Sequence, residues 1–256
     1  ICANALNRAV NEYNLKTPGE VLDKITQLVV DYFAKSEEEI KDGMDIALCA
    51  LDISTKKLYY AGANNPLWVI RQKSKDQHNE YVNKTGTHEL VEYKATKQPI
   101  GKHESKKAFH TTELQLEAND IFYIFSDGFA DQFGGPRGKK FKYANFKHLL
   151  LNNCQIPMSA QKDKLNSTFE HWRGELEQLD DICVIGIKIN EDQRKNFSDQ
   201  ELKILSAICD GRTIDEMVNS HDLTENKIEH IQYKLFAKTG ATNLQEIIQY
   251  CAKHQI

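Results

Sequence analysis

The sequence predicts an α+β domain built from layers of sheet and helix, followed by a small all-helical domain. Short runs rich in β-branched and aromatic residues fill the middle of the chain. Stretches with helical spacing of apolar residues stand before and after that region. A wholly polar segment at 190–196 precedes a final helical stretch, so we expect a linker there between domains at 1–189 and 197–256.

Composition agrees with a folded, soluble chain. Of the 256 residues, 40% are hydrophobic and 27% are charged, which is ordinary for globular proteins and argues against a disordered chain. Apolar runs stay well short of the roughly 18 residues that a membrane helix needs, so we expect no membrane contact in this segment and a cytoplasmic location. A net charge of −4 excludes nucleic-acid binding by the whole surface. Six cysteines without a CxxC pair indicate reduced, buried thiols.

The amino-terminal part is predicted to be helical. ICANALNRAV at 1–10 is typical of the interior of a helix without a capping residue, so we expect the natural protein to continue upstream, where a sensor domain or a membrane anchor would lie. Thr17-Pro18-Gly19-Glu20 combines an N-cap, a proline at the first helical position and a capping-box glutamate. The helix that follows carries an apolar stripe of Val21, Leu22, Ile25, Leu28, Val29, Tyr32 and Phe33.

A sheet region, two helices and a last strand complete the first domain. The strand-like runs are IALCALDI, KLYYAGA, PLWVIR, HELVEYK, KAFHTTEL and IFYIFSD. The polar stretch at 72–86 is interpreted as a surface hairpin loop without a catalytic role. Helices are expected at about 143–152 and 159–176, and a buried strand at 181–189.

Two acidic segments adjoin predicted buried strands. Asp127 follows IFYIF, and Asp180-Asp181 precedes ICVIGI. An ionised carboxylate beside a buried strand needs a cation or several donors to offset its desolvation, and Gly128 leaves room for a ligand near the backbone. The two segments would then converge on hard divalent cations. Each segment taken alone is also explained by a solvated turn, and both interpretations stay open at this point.

These segments resemble a known family. FSDGFAD at 125–131, followed later by DDICVIGIKI, is similar to the metal-binding pair of SpoIIE-type protein phosphatases, which belong to the metal-dependent serine/threonine phosphatases of type 2C. Further similar segments are DGMDIALCALD at 42–52, AGANNPLWVIR at 61–71 and QPIGKHE at 98–104. The resemblance covers 1–189 and implies a type 2C phosphatase-like layered β-sandwich flanked by helices, incomplete at its amino terminus.

The resemblance implies hydrolysis of phosphoserine or phosphothreonine in a bacterial signalling protein, for example an anti-sigma-factor antagonist. Two Mn²⁺ or Mg²⁺ ions would activate a water in the complete domain. Catalysis and metal binding fall on Asp127 and Asp180, and the further metal residues are Asp181, as the runner-up to Asp180, and Asp131. No nucleophilic cysteine is then needed, so Cys183 is interpreted as a core residue.

The chain departs from the family in three places. The Gly-Asp and Gly-His-Gly metal motif, expected before ICANALNRAV, does not occur, so this chain alone is expected to lack a complete two-metal centre and activity of its own. Ala63 stands where the family usually has His, and Asp45 where Thr is common; we interpret both as structural variation. A regulator or a scaffold with an inactive phosphatase-like domain is the alternative.

Residues 197–256 resemble a LuxR/GerE-type helix-turn-helix domain. FSDQELKIL is similar to its first helix, and DGRTIDEMVNSHDLTENKIEHIQYKLFAKTGATN to its two-helix core. The resemblance implies a helix near Thr224 that enters the major groove of DNA, with contacts from Asn226, Lys227, His230 and Lys234. The segment holds six basic and nine acidic residues, a net charge of −3, so a protein-interaction module stays open beside DNA binding.

Overall fold

The computed structural model describes residues 2–34, 43–73, 82–103, 107–191, 196–221, 223–254 and 256. The centre of the expected hairpin loop, most of the expected linker and the ends of two family-like motifs lie outside these residues. The chain forms two compact units, one from Ile1 to Ile189 and one from Asn190 to Ile256.

Two helices open the first unit, α1 (Cys2–Glu12) and α2 (Pro18–Phe33). The predicted capping box of α2 is confirmed. The Glu20 carboxylate accepts from the backbone N–H of Thr17 at 3.0 Å, and the Thr17 hydroxyl accepts from that of Glu20 at 3.4 Å. Most of the apolar stripe packs against the sheet, but Tyr32 is 58% exposed because it lies off the buried face.

Two antiparallel sheets pack face to face. The first has the order β1 (Ile46–Asp52), β2 (Lys57–Ala63), β6 (Thr112–Gln115). The second has the order β10 (Val184–Lys188), β7 (Ile121–Phe125), β3 (Leu67–Gln72), β5 (His88–Tyr93), β4 (Val82–Thr85). Leu58 and Tyr60 of the first sheet share one apolar cluster with Val69 and Phe122 of the second. The core therefore lies between the sheets.

Helices cover both outer faces of this sandwich. α2 packs on Ala61 and Ala63 of β2, while α4 (Tyr143–Asn153) and α5 (Met158–Arg173) pack on the second sheet around Trp68 and Phe125. The predicted α+β sandwich flanked by helices is confirmed. α5 ends before the predicted 176 because Gly174 adopts a φ of +56°, a positive value that favours glycine and does not continue a helix.

The last strand differs from its prediction. β10 begins at Val184 and pairs only with β7, so it is an edge strand rather than one buried on both faces. Ile185 and Ile187 are 44% and 40% exposed. Cys183 lies before the strand and is exposed, so its interpretation as a core residue was wrong. An apolar sequence does not distinguish an edge strand from a central one.

Three short elements connect β7 to α4. They are the single helical turn α3 (Gly128–Asp131) and a hairpin of β8 (Phe133–Gly134) and β9 (Lys139–Lys140). The hairpin turns through Gly135 and Gly138, both at positive φ. The first of these elements begins directly after Asp127, which follows the end of β7.

The second unit is all-helical, with α6 (Asp199–Cys209), α7 (Ile214–His221), α8 (Glu225–Thr239) and α9 (Leu244–His254). Ser198 and Glu201 form a capping box on α6, and Gly240 ends α8 in a left-handed conformation. Ile204, Leu205 and Ile228 are at the centre of its core. Within the described parts of the chain, no helix has both the length and the apolar composition that crossing a bilayer requires.

Candidate active site

Antiparallel pairing of β7 with β10 brings the two acidic segments to one edge of the second sheet. Phe125, the last residue of β7, pairs with Val184, the first of β10. Asp127 follows the first strand and Asp180 precedes the second, so both stand at the same edge. The structure thus brings together the two aspartates that carry the family resemblance.

Ser126 connects the two segments. Its hydroxyl donates to the carbonyl of Asp181 at 2.8 Å and accepts from the backbone N–H of Cys183 at 2.9 Å. Its own N–H donates to the carbonyl of Cys183 at 2.9 Å. The sequence analysis does not predict this role of Ser126. The signal is a hydroxyl residue between a buried strand and an acidic turn, where its side chain can hydrogen-bond to backbone groups.

A close backbone contact explains the glycine at position 128, and not space for a ligand, as its sequence context suggests. A Cβ at this position would lie 2.6 Å from the carbonyl oxygen of Asp181. The space beside Gly128 is therefore filled by the Asp181 backbone, and the expectation that a ligand approaches there was wrong. The glycine permits close contact between α3 and the segment before β10.

Four carboxylates lie within electrostatic reach of one another. Partial burial raises the pKa of Asp127, and the negative charges of Asp180, Asp131 and Asp45 raise it further. Asp45 is the member that the sequence analysis took for structural variation. It is exposed, and its carboxylate accepts from the side-chain amide of Asn64 at 2.8 Å. The sequence signal for placing Asp45 in the cluster is its position directly before the first strand of the sheet.

The remaining predicted metal residues differ in their surroundings. Asp131 donates its N–H to the carbonyl of Asp127 at 3.0 Å, and its half-exposed carboxylate pairs with Lys140 at 2.8 Å. Asp180 and Asp181 are both exposed, and the Asp180 carboxylate accepts the N–H of Asp181 at 2.7 Å. Among these two, Asp180 is the residue whose charge raises the pKa of Asp127.

Tyr143, the first residue of α4, borders the same cluster. Its ring lies edge-on to Trp68, with 5.9 Å between centroids. Burial raises the pKa of its hydroxyl to about 12, with smaller contributions from Asp127, Asp131 and other carboxylates. The hydroxyl stays protonated at neutral pH and is therefore a hydrogen-bond donor. The sequence offered no signal for this residue.

The donor set fits a hard divalent cation. Such ions prefer carboxylate oxygens, and a bound cation would relieve the repulsion that raises the pKa of Asp127. Within the residues that the structure describes, no three His, Cys, Asp or Glu side chains converge closely enough to hold a metal ion by themselves. If a metal ion binds at this edge of the sheet, the described carboxylates would supply only part of its ligands.

The residues predicted to contact DNA all lie on one helix. Asn226, Lys227, His230 and Lys234 are exposed on α8, while Ile228, Ile231 and Leu235 of the same helix are buried. Glu229 shares the exposed surface. The helix thus presents a polar face of mixed charge.

The family model for Stage II sporulation protein E (SpoIIE) matches residues 2–190. The chain belongs to the SpoIIE family. A search of curated protein sequences found no match. This SpoIIE-family chain is similar in structure to the SiaA-PP2C domain of Pseudomonas aeruginosa, with a TM-score of 0.59 and 23% identity over 73% of this chain and 67% of that one.

Two further structures share the fold of the SpoIIE-family unit. The PP2C phosphatase domain of SpoIIE from Bacillus subtilis, solved with a fragment of its regulatory domain, has a TM-score of 0.51 and 17% identity over 73% of this chain and 48% of that one. The RsbU and RsbW domains of Rv1364c from Mycobacterium tuberculosis have a TM-score of 0.50 and 14% identity over 82% and 53%. The chain spans about half the length of these two structures. The predicted PP2C-like fold of this unit is confirmed.

Proposed function

We propose that this SpoIIE-family unit hydrolyses phosphoserine or phosphothreonine in a protein, with Mn²⁺ or Mg²⁺ as cofactor. One observation carries the proposal: pairing of β7 with β10 brings the segments of Asp127 and Asp180 to the same edge of the sheet. There, partial burial raises the pKa of Asp127, and the negative charge of Asp180 raises it further. Phosphoryl transfer by metal-dependent phosphatases needs such carboxylates and no covalent nucleophile.

Asp127 and Asp180 would hold the cation, and Asp131 would contribute directly or through a water. Asp181 is the second choice at its position, because Asp180 is the one of the two whose charge raises the pKa of Asp127. A bound divalent ion supplies an activated water and offsets the charge of the phosphate. Ser126 keeps the two acidic segments in register, while Lys140 fixes the carboxylate of Asp131.

The substrate that we propose is a phosphorylated signalling protein of a bacterial cytoplasm, such as an anti-sigma-factor antagonist. The support is family membership together with an exposed, acidic site at a sheet edge, which a protein loop can reach. A sensor domain upstream of this unit would regulate its activity in the natural protein.

The test is Mn²⁺-dependent release of phosphate from a phosphoserine protein by the natural full-length protein. Asp127→Asn removes a charge at nearly constant volume and should abolish turnover without unfolding the domain. Asp163→Asn, at an exposed position on α5, is the matched control and should retain full activity. Activity in Asp127→Asn equal to that of the wild type would refute the proposed site.

A second proposal concerns the helical unit. We propose that it is a LuxR-type helix-turn-helix domain whose α8 contacts DNA through Asn226, Lys227, His230 and Lys234. The exposure of these residues on one helix supports it. In a salt titration of duplex DNA binding, Lys227→Ala with Lys234→Ala should reduce affinity, whereas the control Lys253→Ala on α9 should not. Absence of saturable binding by the wild type would favour a protein-interaction module.

Both tests together separate the alternatives. DNA binding without metal-dependent turnover would identify a transcriptional regulator with an inactive phosphatase-like domain. Neither activity would favour a scaffold that binds proteins through both units.

A further inference from the structure

The hairpin beside the acidic cluster is strongly basic. Residues 133–142, which we call the basic hairpin, read FGGPRGKKFK and contain Arg137, Lys139, Lys140 and Lys142 without any acidic residue. All four basic side chains are exposed. The whole chain carries a net charge of −4, so this concentration of positive charge is a local exception.

The basic hairpin is held on a fixed base. The N–H of Gly135 donates to the carbonyl of Trp172 at 2.7 Å, and the indole N–H of Trp172 donates to the carbonyl of Gln132 at 3.2 Å. A Cβ on Gly134 would lie 1.9 Å from the Trp172 carbonyl oxygen, so α5 contacts the hairpin backbone directly. The buried Phe141 anchors the returning strand. The cationic side chains are therefore presented from an ordered support.

Hydrogen bonds place the basic hairpin at the border of the candidate active site. Lys140 pairs with Asp131 at 2.8 Å, and the N–H of Lys142 donates to the carbonyl of Ala130 at 2.7 Å. In the described part of the chain, Arg137, Lys139 and Lys142 have no ion-pair partner. Lys142 thus lies beside the segment that carries Asp131, and the charges of Arg137, Lys139 and Lys142 are not compensated by an ion pair with a described residue.

A phosphorylated protein segment at the candidate active site is repelled by the aspartates and attracted by the basic side chains of the hairpin. A phosphate with a charge of about −2 is repelled by a group of aspartates unless cations offset them. Acidic residues on either side of the phosphate would be repelled in the same way. Uncompensated basic side chains at the border attract such residues and speed their approach.

We propose that the basic hairpin binds acidic residues that flank the phosphoserine or phosphothreonine of a protein substrate. The proposal rests on the proposed phosphatase function and adds the sequence character of the substrate. Arg137 lies in the turn between β8 and β9, and neither it nor Lys139 pairs with a described carboxylate, so both are available to residues outside the reacting phosphate.

The test compares two phosphoserine peptides, one with Asp and Glu flanks and one with Ala and Ser flanks. The change is Arg137→Glu with Lys139→Glu, and the matched control is Lys162→Glu with Lys164→Glu on the exposed side of α5. Fluorescence anisotropy measures binding to the full-length protein at low salt. Charge reversal at two exposed sites should weaken binding of the acidic peptide about tenfold and that of the neutral peptide much less, because only the acidic peptide has charged flanks. The control should bind both peptides like the wild type.

Kinetics give a second readout. For the acidic phosphopeptide, KM should rise about tenfold at constant kcat in the hairpin variant, and the difference should shrink as salt screens the charges. Hydrolysis of p-nitrophenyl phosphate should not change, because this substrate has no flanking residues.

Equal affinity of the hairpin variant and the wild type for the acidic peptide would overturn the proposal. So would a loss of affinity for duplex DNA with none for the peptide, which would identify a nucleic-acid surface instead. Failure of the wild type to hydrolyse any phosphoester would refute the phosphatase function, while the anisotropy measurement would still decide whether the basic hairpin binds acidic peptides.

Discussion

Replacing Ser126 by Ala tests how the two acidic segments are joined. The change removes the hydroxyl that donates to the Asp181 carbonyl and accepts from the Cys183 N–H. Each of the two hydrogen bonds contributes about 1 kcal/mol net, and the partial exposure of the site reduces their sum, so we expect a loss of about 1–2 kcal/mol. For a domain of this size, the midpoint of thermal unfolding should fall by roughly 3–6 °C.

Activity should fall more than stability does. Without the hydroxyl, Ser126 is bonded to the segment of Asp180 only through its own N–H and the Cys183 carbonyl, so that segment shifts relative to Asp127. A displacement of about 1 Å is enough to reduce turnover roughly 100-fold. The assays are differential scanning calorimetry and phosphate release by the full-length protein. The control is Ser167→Ala, whose hydroxyl bonds only to the carbonyl of Lys164 within α5. An activity loss in Ser126→Ala no larger than in this control would refute the reasoning.

Three further predictions concern Gly128 and Asp127 in the first unit and the buried thiol of Cys251 in the second unit. Gly128→Ala should destabilise the protein by about 1–3 kcal/mol in denaturant titration, because its Cβ would meet the Asp181 carbonyl at 2.6 Å; an unchanged midpoint would contradict the close contact. Burial and neighbouring carboxylates raise the pKa of Asp127, so its contribution to stability is present below the unfolded-state pKa and is lost as pH rises through the folded-state pKa. In EDTA at pH 7, Asp127→Asn should therefore unfold about 1–2 °C above the wild type, and a lower midpoint would contradict the repulsion. Burial, with a contact from a second cysteine, raises the pKa of Cys251 to about 12, so at pH 8 iodoacetamide should alkylate it far more slowly than the exposed Cys183, as mass spectrometry of peptides would show.

Local sequence patterns predicted those helix ends and strands that are determined by residues close together in the chain. The capping box at Thr17 and Glu20 follows from their spacing, and the apolar run before Asp127 predicts a buried strand that ends in a carboxylate. The family motifs then led to the fold, which the SpoIIE match and the sandwich of two sheets confirm. The roles of the individual aspartates stay predictions.

Long-range pairing decided the features that the sequence did not predict. Asp45 lies next to Met44, whose backbone exchanges two hydrogen bonds with Ile100, and no local pattern indicates that bridge. β10 is an edge strand because it is the first strand in the order of its sheet. Cys183, which directly precedes this strand, is exposed. The reason for Gly128 likewise lies in a backbone contact with a residue far along the chain.

In the proposed site, Asp127 and Asp180 hold a divalent cation. Titration of the full-length protein with Mn²⁺, followed by the electron paramagnetic resonance signal of the free ion, measures this binding without reference to turnover. We expect saturable binding in the wild type and in the control Asp163→Asn, and at least tenfold weaker binding in Asp127→Asn and in Asp180→Asn. Binding of Mn²⁺ by both site variants with the affinity of the wild type would contradict it.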